Sequence, residues 1–229
     1  MTKVITIDGP SGSGKGTISS LVADCLGWHL LDSGAIYRVL GLAAERAGIN
    51  AEQTAELAEL ARGMNLVFTD GKTLLDGENV DALIRTETAG NAASKVAAVP
   101  QARAALLDWQ RGYAKEPGLV ADGRDMGTVV FPDAEVKVFL TASAEERALR
   151  RYKQLKEKGL SANLAGLIEE IRERDDRDQN RSVAPLKAPA AALEIESTSL
   201  SIGEVLKLVL DQVQEAYPET DISVHKQGA

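Results

Sequence analysis

The residues with the clearest chemical potential lie near the start of the chain, where four glycines surround one lysine. Glycine has no side chain, so successive backbone N–H groups can turn inward around phosphate oxygens, and a helix that starts there adds partial positive charge. The lysine adds a full positive charge. A glycine-rich turn that binds nothing is the alternative, but it explains neither the apolar run before the motif nor the helical pattern after it. The motif therefore predicts a phosphate-binding loop that consists of Gly9, Pro10, Ser11, Gly12, Ser13, Gly14, Lys15, Gly16 and Thr17.

Two residues near this loop are candidates for contact with Mg²⁺. Gly16 follows Lys15 where the general pattern has Ser or Thr, so the hydroxyl of Thr17 comes one position later. Asp122 follows the apolar run Leu119–Ala121, where a carboxylate can orient Mg²⁺ or its water ligands. Two alternatives stay open, namely that Thr17 contacts phosphate and that Asp122 is an N-cap or turn residue. We expect any contact of these two residues with the metal to pass through water.

Arginines recur in three further segments, namely 31–38, 121–128 and 173–181. A guanidinium binds two phosphate oxygens at once and keeps its charge, so clustered arginines in an acidic chain indicate a phosphate site. Spacings of four and three place Arg174, Asp178 and Arg181 on one helix face if the helix continues that far. The alternative for this segment is a solvated helix with ion pairs. In the first segment, Ser33 can cap the following helix.

Apolar runs and helical periodicity alternate along the chain, which indicates a parallel sheet with helices on both faces. Apolar runs predict five strands, namely Val4–Ile7, His29–Leu31, Leu119–Ala121, Val136–Leu140 and Leu193–Ile195. Amphipathic patterns predict helices at Thr17–Leu26, Ala144–Lys158, Ala162–Asp178 and Ile202–Ala216. Loops that follow parallel strands leave at one edge of the sheet, so segments 31–38 and 121–128 are expected at the edge that carries the phosphate-binding loop.

One stretch interrupts this alternation. Three short runs at 66–68, 73–75 and 78–80 are separated by two Asp-Gly dipeptides, which favour tight turns. They predict a small antiparallel meander inserted into the α/β chain. The alternative is a surface insertion without function.

The bulk composition argues against several partners. The net charge of −8 disfavours nucleic acid and anionic membranes, and no run approaches the roughly 18 apolar residues that span a bilayer. Cys25 is the only cysteine, which excludes an internal disulfide and favours a reducing compartment. The start of the chain has no secretory leader pattern. We therefore expect a cytoplasmic monomer with neither a nucleic-acid nor a membrane partner.

Four segments resemble the motifs of bacterial cytidylate kinases in order and spacing, namely Leu31–Arg38, Asn91–Ser94, Ala121–Thr128 and Glu173–Arg181. The similarity extends from Val4 to about Gln214. It implies a P-loop kinase fold with a five-stranded parallel sheet, as a single domain over residues 1–229. Within that domain it implies a monophosphate-binding insertion at 34–105, which contains the meander, and an arginine-rich helical lid at 145–181.

The resemblance also implies an activity, the transfer of a phosphoryl group from ATP, with Mg²⁺, to CMP and dCMP. It places Arg147 and Arg151 on ATP, although the residues alone are equally compatible with surface charges. The implied catalytic residues are Lys15, Arg124, Arg174 and Arg181. The implied acceptor site consists of Ser33, Tyr37, Arg38, Ser94, Arg103, Arg124, Asp125, Arg174, Asp178 and Arg181. The alternative for Asp125 is a helix cap after the Gly123-Arg124 turn.

Two other functions stay open on the sequence. Another nucleoside monophosphate, or a small metabolite, can be the acceptor on the same scaffold. A P-loop switch or nucleotide-driven binding protein is the more distant alternative. A GTPase switch needs an Asn-Lys-x-Asp string to bind guanine, and the sequence contains none.

Overall fold

The computed structural model describes residues 2–69, 71–157 and 159–222, which form two compact units. The first unit comprises the chain up to Leu31 and from Tyr113 onward, and the second comprises Asp32–Gly112. Among the described residues, no helix is both long and apolar enough to cross a membrane. In chain order the elements are β1 (Val4–Asp8), α1 (Lys15–Leu26), β2 (His29–Asp32), α2 (Ser33–Ala47), α3 (Thr54–Gly63), β3 (Leu66–Thr69), β4 (Lys72–Leu75), β5 (Glu78–Asn79), α4 (Asp81–Ile84), α5 (Glu87–Val96), α6 (Pro100–Arg111), β6 (Leu119–Gly123), a π-helical turn (Met126–Val130), β7 (Val136–Thr141), α7 (Ala144–Glu157), α8 (Leu164–Gln179), β8 (Leu193–Glu196) and α9 (Ile202–Ala216).

A five-stranded parallel sheet forms the centre of the first unit, with the strand order β2-β6-β1-β7-β8. β1 is the middle strand and all five of its residues are buried, because it pairs with β6 on one side and β7 on the other. The five predicted strands are confirmed. Each extends one or two residues past its apolar run, since backbone pairing continues where apolar side chains stop.

Helices α1 and α9 pack on this sheet. Ile18 and Val22 of α1 share one apolar cluster with Ile5 and Ile7 of β1 and with Val205 of α9. Helix α9 starts at a capping box, in which the Ser201 hydroxyl accepts from the Glu204 N–H and the Glu204 carboxylate accepts from the Ser201 N–H. Its bounds are those that its apolar spacing predicts.

The second unit is mainly helical. Helix α2 packs against α5 and α3 against α6. The predicted meander is confirmed as the antiparallel sheet β3-β4-β5. Asp70, the first residue of the Asp-Gly pair predicted to turn between the first two runs, lies outside the described part of the chain. The predicted cap of α2 is wrong, because Asp32 is the N-cap and accepts from the Ala35 N–H at 2.9 Å, while Ser33 is the first helical residue.

Candidate active site

The phosphate-binding loop joins β1 to α1, as the sequence predicts. Helix α1 begins at Lys15, so its unpaired N-terminal N–H groups belong to the loop itself. At Gly9, a Cβ atom would lie 2.1 Å from the carbonyl oxygen of Leu140. No other residue fits there, which explains why this loop must start on glycine.

A cation and a carboxylate lie together at the base of the loop. The ammonium of Lys15 is 3.9 Å from Oδ1 of Asp122 and 3.4 Å from the carbonyl oxygen of Pro10. Oδ2 of Asp122 lies 3.4 Å from where a Cβ of Gly16 would be. Asp122 is buried inside β6, not at its end, so its interpretation as a turn or N-cap residue is wrong.

An open cleft of about 740 Å³ adjoins the loop. Its walls come from three segments of the first unit, namely residues 12–18, the inner face of α7 and residues 197–205. Thr17, Arg147 and Arg151 line it, as do Arg150 and Lys153, which the sequence analysis did not select. The cleft is large enough for a nucleoside and lies directly beside the predicted phosphate cradle.

Arg147 is buried, with only 4% of its surface exposed, so its interpretation as a surface charge is wrong. Its Nε donates to the carbonyl oxygen of Ala142 at 2.9 Å and its NH1 donates to that of Ser11 at 3.0 Å. The same guanidinium forms a two-point ion pair with Asp175 of α8. Arg147 therefore connects the phosphate-binding loop to both helices of the predicted lid.

Arg150 connects the opposite walls of the cleft. Its NH2 donates to the carbonyl oxygen of Ser197 at 2.8 Å, and its NH1 donates to that of Ser13 at 3.3 Å. Its Nε is paired with Glu146, four residues earlier. That spacing is typical of an exposed helix pair, so the sequence alone does not distinguish Arg150 from an ordinary surface arginine.

A second cluster of charges surrounds the end of α8. The Nε of Arg124 donates to Oδ2 of Asp178 at 3.1 Å, and Asp178 is 3% exposed. Helix α8 ends at Gln179, so Arg181 lies beyond it, where its Nε donates to the carbonyl oxygen of Asp178 at 3.3 Å. The alternative of a wholly solvated segment is wrong for Asp178 and Arg181, because both are buried. Arg174 lies on the same helix and is half-buried.

The candidate residues of the second unit are mostly buried polar groups on helices. Ser33 and Tyr37 are on α2, Ser94 is on α5 and Arg103 is on α6, and each is at most 8% exposed. The Arg103 guanidinium lies 5.8 Å from the centre of the Tyr37 ring. Arg38 is half-buried and donates to the carbonyl oxygens of Ile84 and Thr86, at 2.6 and 3.1 Å. Burying polar side chains is costly, so this grouping favours a ligand over a packing role.

Two buried carboxylates follow the central strands. Asp125 is the N-cap residue of the π-helical turn, as the alternative interpretation has it, but its side chain makes no capping hydrogen bond there. Asp8, the last residue of β1, is fully buried and accepts from the N–H groups of Met126 and Gly127. Burial, together with the charges of Asp125 and Asp122, raises the pKa of Asp8 from 3.8 to about 7, although the two backbone hydrogen bonds act to lower it. The sequence analysis selected Asp122 because a carboxylate directly follows an apolar run. Asp8 directly follows the apolar run Val4–Ile7, so the same criterion would have selected Asp8.

The chain as a whole is similar to one known family. A family model described as cytidylate kinase matches residues 5–215. The protein named cytidylate kinase from Aeromonas salmonicida (strain A449) is 57% identical over 227 residues, which are 97% of this chain and 99% of that protein. The cytidylate kinase of Aeromonas hydrophila subsp. hydrophila is 58% identical over 219 residues, 94% of this chain and 95% of the relative.

Solved structures share the fold at low sequence identity. An uncharacterized protein from Eubacterium ventriosum ATCC 27560 aligns with a TM-score of 0.52 and 11% identity, over 94% of this chain and 99% of that one. At this identity the likeness concerns the fold alone.

Proposed function

We propose that this chain, which belongs to the cytidylate kinase family, uses ATP to phosphorylate CMP and dCMP, giving ADP and the corresponding diphosphates. The observation that carries the proposal is the presence, in one unit, of a glycine-rich loop with Lys15 and of a second cluster of buried and half-buried arginines. A module that only binds a nucleotide needs the loop but not the second cluster of arginines. A kinase whose acceptor is itself a phosphate needs both the loop and the arginine cluster.

The donor nucleotide is assigned to the loop and the adjoining cleft. The loop N–H groups and Lys15 bind the β- and γ-phosphates, since both present positive charge at the start of α1. The cleft of about 740 Å³ receives the adenosine. Arg151 lines that cleft and contacts ATP, and Arg147 contacts ATP from the loop side while it holds the Ser11 carbonyl.

The acceptor nucleotide is assigned to one set of residues in each unit. Arginines of the first unit bind its phosphate, the buried carboxylates Asp125 and Asp178 orient it, and Asp178 also fixes the guanidinium of Arg124. In the second unit the buried hydroxyls and guanidinium groups recognise the nucleoside. The complete set is Ser33, Tyr37, Arg38, Ser94, Arg103, Arg124, Asp125, Arg174, Asp178 and Arg181.

Mg²⁺ fits the site only as a partner of the nucleotide. No group of three or more His, Cys, Asp or Glu side chains in the described part of the chain can form a metal cage. Mg²⁺ commonly keeps several waters and is held by one or two carboxylates together with substrate phosphates. Asp122, buried beside Lys15 and Gly16, and the exposed hydroxyl of Thr17 are the residues that would reach its water shell. When bound, the ion neutralises charge on the phosphate oxygens.

The chemical step needs no general base from the protein. A phosphate monoester has a second pKa of about 6, so the acceptor is already largely ionised near pH 7. An oxygen of the acceptor phosphate attacks the γ-phosphorus in line as the bond to the β-phosphate oxygen breaks. Lys15, Arg124, Arg174 and Arg181 stabilise the charge that spreads over the transferring group. We assign residues 145–181 as the lid that excludes water and 34–105 as the monophosphate-binding insertion.

Base recognition rests on complementary hydrogen bonding. Cytosine offers an N4 amino donor beside the acceptors N3 and O2. Uracil instead has an acceptor, O4, in place of the amino group and a donor, N3–H, in place of the first acceptor. Asp125 and Ser94 can accept from the amino group, and Arg103 can donate to the acceptors. A site built on hydrogen bonds rejects a mismatched analogue by up to about 10⁴–10⁵. Asp125→Ala should therefore reduce kcat/KM for CMP much more than for UMP, with Glu173→Ala, an exposed residue of α8, as the control.

A coupled ATP-consumption assay with CMP, dCMP, UMP and AMP tests the function directly. CMP and dCMP should be turned over with the highest kcat/KM, and ADP and the diphosphate should appear in equal amounts. Faster turnover of AMP or UMP would assign the chain a different monophosphate acceptor. ATP hydrolysis without a phosphorylated acceptor would overturn the kinase assignment. Size-exclusion chromatography of the same preparation tests the prediction of a monomer.

A further inference from the structure

The carboxylate of Asp8 is hydrogen-bonded to the π-helical turn that follows β6. Both of its oxygens accept hydrogen bonds of 2.8 Å from consecutive backbone N–H groups, Oδ1 from Met126 and Oδ2 from Gly127. Asp8 is fully buried at the carboxyl end of the central strand. One side chain therefore fixes the beginning of the π-helical turn on the neighbouring strand's loop.

The turn is seated tightly against β1. A Cβ atom at Gly127 would lie 2.7 Å from Oγ1 of Thr6, 2.9 Å from Cγ of Pro189 and 3.4 Å from Oδ2 of Asp8. Any larger residue must move the turn outward. The close packing at Gly127 and the two hydrogen bonds to Asp8 together hold the π-helical turn in a single position against β1.

The backbone of Asp125, which immediately precedes Met126, is also part of the hydrogen-bonded turn. Its carbonyl oxygen accepts from the N–H groups of Val129 and Val130, at 2.9 and 3.2 Å, which closes the turn. Since the next two residues are held by Asp8, the main chain at Asp125 is constrained from its carboxyl side. The buried side chain of Asp125 and the side chain of Arg124 are both attached to this constrained segment of backbone. Arg124 is in addition paired with Asp178.

The arrangement is electrostatically expensive. Burial raises the pKa of Asp8, and the carboxylates of Asp122 and Asp125 add to the effect. Burying a carboxylate costs more than burying an apolar side chain of similar size, so stability alone does not account for a charge here. A carboxylate does offer what a backbone turn with two adjacent N–H groups requires, namely two acceptors on one rigid group.

We propose that Asp8 is a positioning residue for the acceptor nucleotide, which holds the Met126–Gly127 backbone so that Arg124 and Asp125 face the acceptor in a fixed orientation. The inference rests on the proposed function. It predicts a selective defect: binding of the acceptor depends on Asp8, whereas binding of ATP does not, because the Asp8 carboxylate contacts no residue of the loop from Gly9 to Thr17 among its hydrogen bonds.

Asp8→Asn tests the proposal without a change in volume. The amide offers one acceptor and one N–H donor, so one of the two backbone N–H groups loses its partner. KM for CMP should rise about tenfold to a hundredfold, since an unsatisfied buried donor displaces the turn. KM for ATP should stay within about threefold, and the preference for CMP over UMP should fall. Ile5→Val, a conservative change at a buried residue of β1 in the apolar cluster, is the control and should change neither KM.

A second variant keeps the proposal testable if the Asp8→Asn protein does not fold. Gly127→Ala keeps Asp8 and moves the turn through its new Cβ, so it should produce the same selective rise in KM for CMP. Direct titration with ATP establishes that each variant is folded. Equal increases in the two KM values, or an unchanged KM for CMP in a folded Asp8→Asn or Gly127→Ala protein, would overturn the inference. Absence of CMP turnover by the unmodified chain would instead overturn the proposed function.

Discussion

In the first unit the proposed nucleotide-binding arginines are paired with carboxylates and loop carbonyls, whereas in the second unit the corresponding polar side chains are mostly buried on helices that pack together. Arg147 and Arg124 illustrate the first arrangement, through Asp175 and Asp178. Ser94 illustrates the second, as a 5% exposed hydroxyl on α5.

This difference has consequences for function and stability. A side chain whose hydrogen bonds hold a loop can be lost while the central sheet stays intact, so activity falls more than stability. A buried side chain on a helix also packs the unit, so its loss reduces both. Arg38 departs from the pattern, because it lies in the second unit yet donates to two backbone carbonyls.

The largest expected effect concerns the loop itself. Lys15→Ala should lower kcat about 10²–10³-fold, the usual cost of losing one stabiliser of charge in the transition state. Its melting temperature should change little, since Lys15 is on the first turn of α1 and is not one of the residues of the apolar cluster around β1. Steady-state rates and thermal melts measure the two quantities. Activity within about threefold of the parent would refute the assignment of the phosphate-binding loop.

The next effect tests the buried charges around Asp178. Arg181→Met should lower kcat about tenfold to a hundredfold, because a charged donor to phosphate contributes about 1.5–3 kcal/mol. Arg172→Met is the control, since Arg172 is 61% exposed and pairs with the equally exposed Glu145. Such pairs contribute about 0–1 kcal/mol, so this variant should keep full activity. A lower melting temperature with unchanged kcat for Arg181→Met would assign Arg181 to stability alone.

The second unit should respond differently. Arg103→Met removes a buried guanidinium that lies over the Tyr37 ring, an interaction of about 0.5–2 kcal/mol. We expect a lower melting temperature together with a higher KM for CMP, while KM for ATP stays constant. Arg62→Met, at an exposed ion pair with Glu59 on α3, serves as the control. If Arg103→Met changes KM without any loss of stability, the contrast between the two units does not hold.

The sequence predicted most of the first unit because its patterns are local. The position of the glycine-rich loop, the five strands and α9 follow from glycine spacing, apolar runs and helical periodicity. Asp32, not Ser33, caps α2 because β2 extends through it, and strand length depends on pairing with a distant strand. The burial of Arg147 also could not be predicted, since helical spacing does not show that Asp175 and the Ser11 carbonyl lie against it.

The last prediction concerns Asp8, whose carboxylate accepts two hydrogen bonds from the π-helical turn. Its pKa is about 7 in the fold against an ordinary value of 3.8. Between these two values the folded state keeps a proton that the unfolded state releases, so the free energy of unfolding falls as the pH rises.

Asp8→Asn cannot titrate. The stability of the parent relative to this variant should therefore decrease from about pH 4 to about pH 7, by at most about 1.4 kcal/mol per pH unit. Thermal melts across this range measure the difference, and Ile5→Val should follow the parent at every pH. A difference between parent and Asp8→Asn that stays constant with pH would show that the Asp8 carboxyl is ionised throughout, and that the backbone N–H groups of Met126 and Gly127 outweigh its burial.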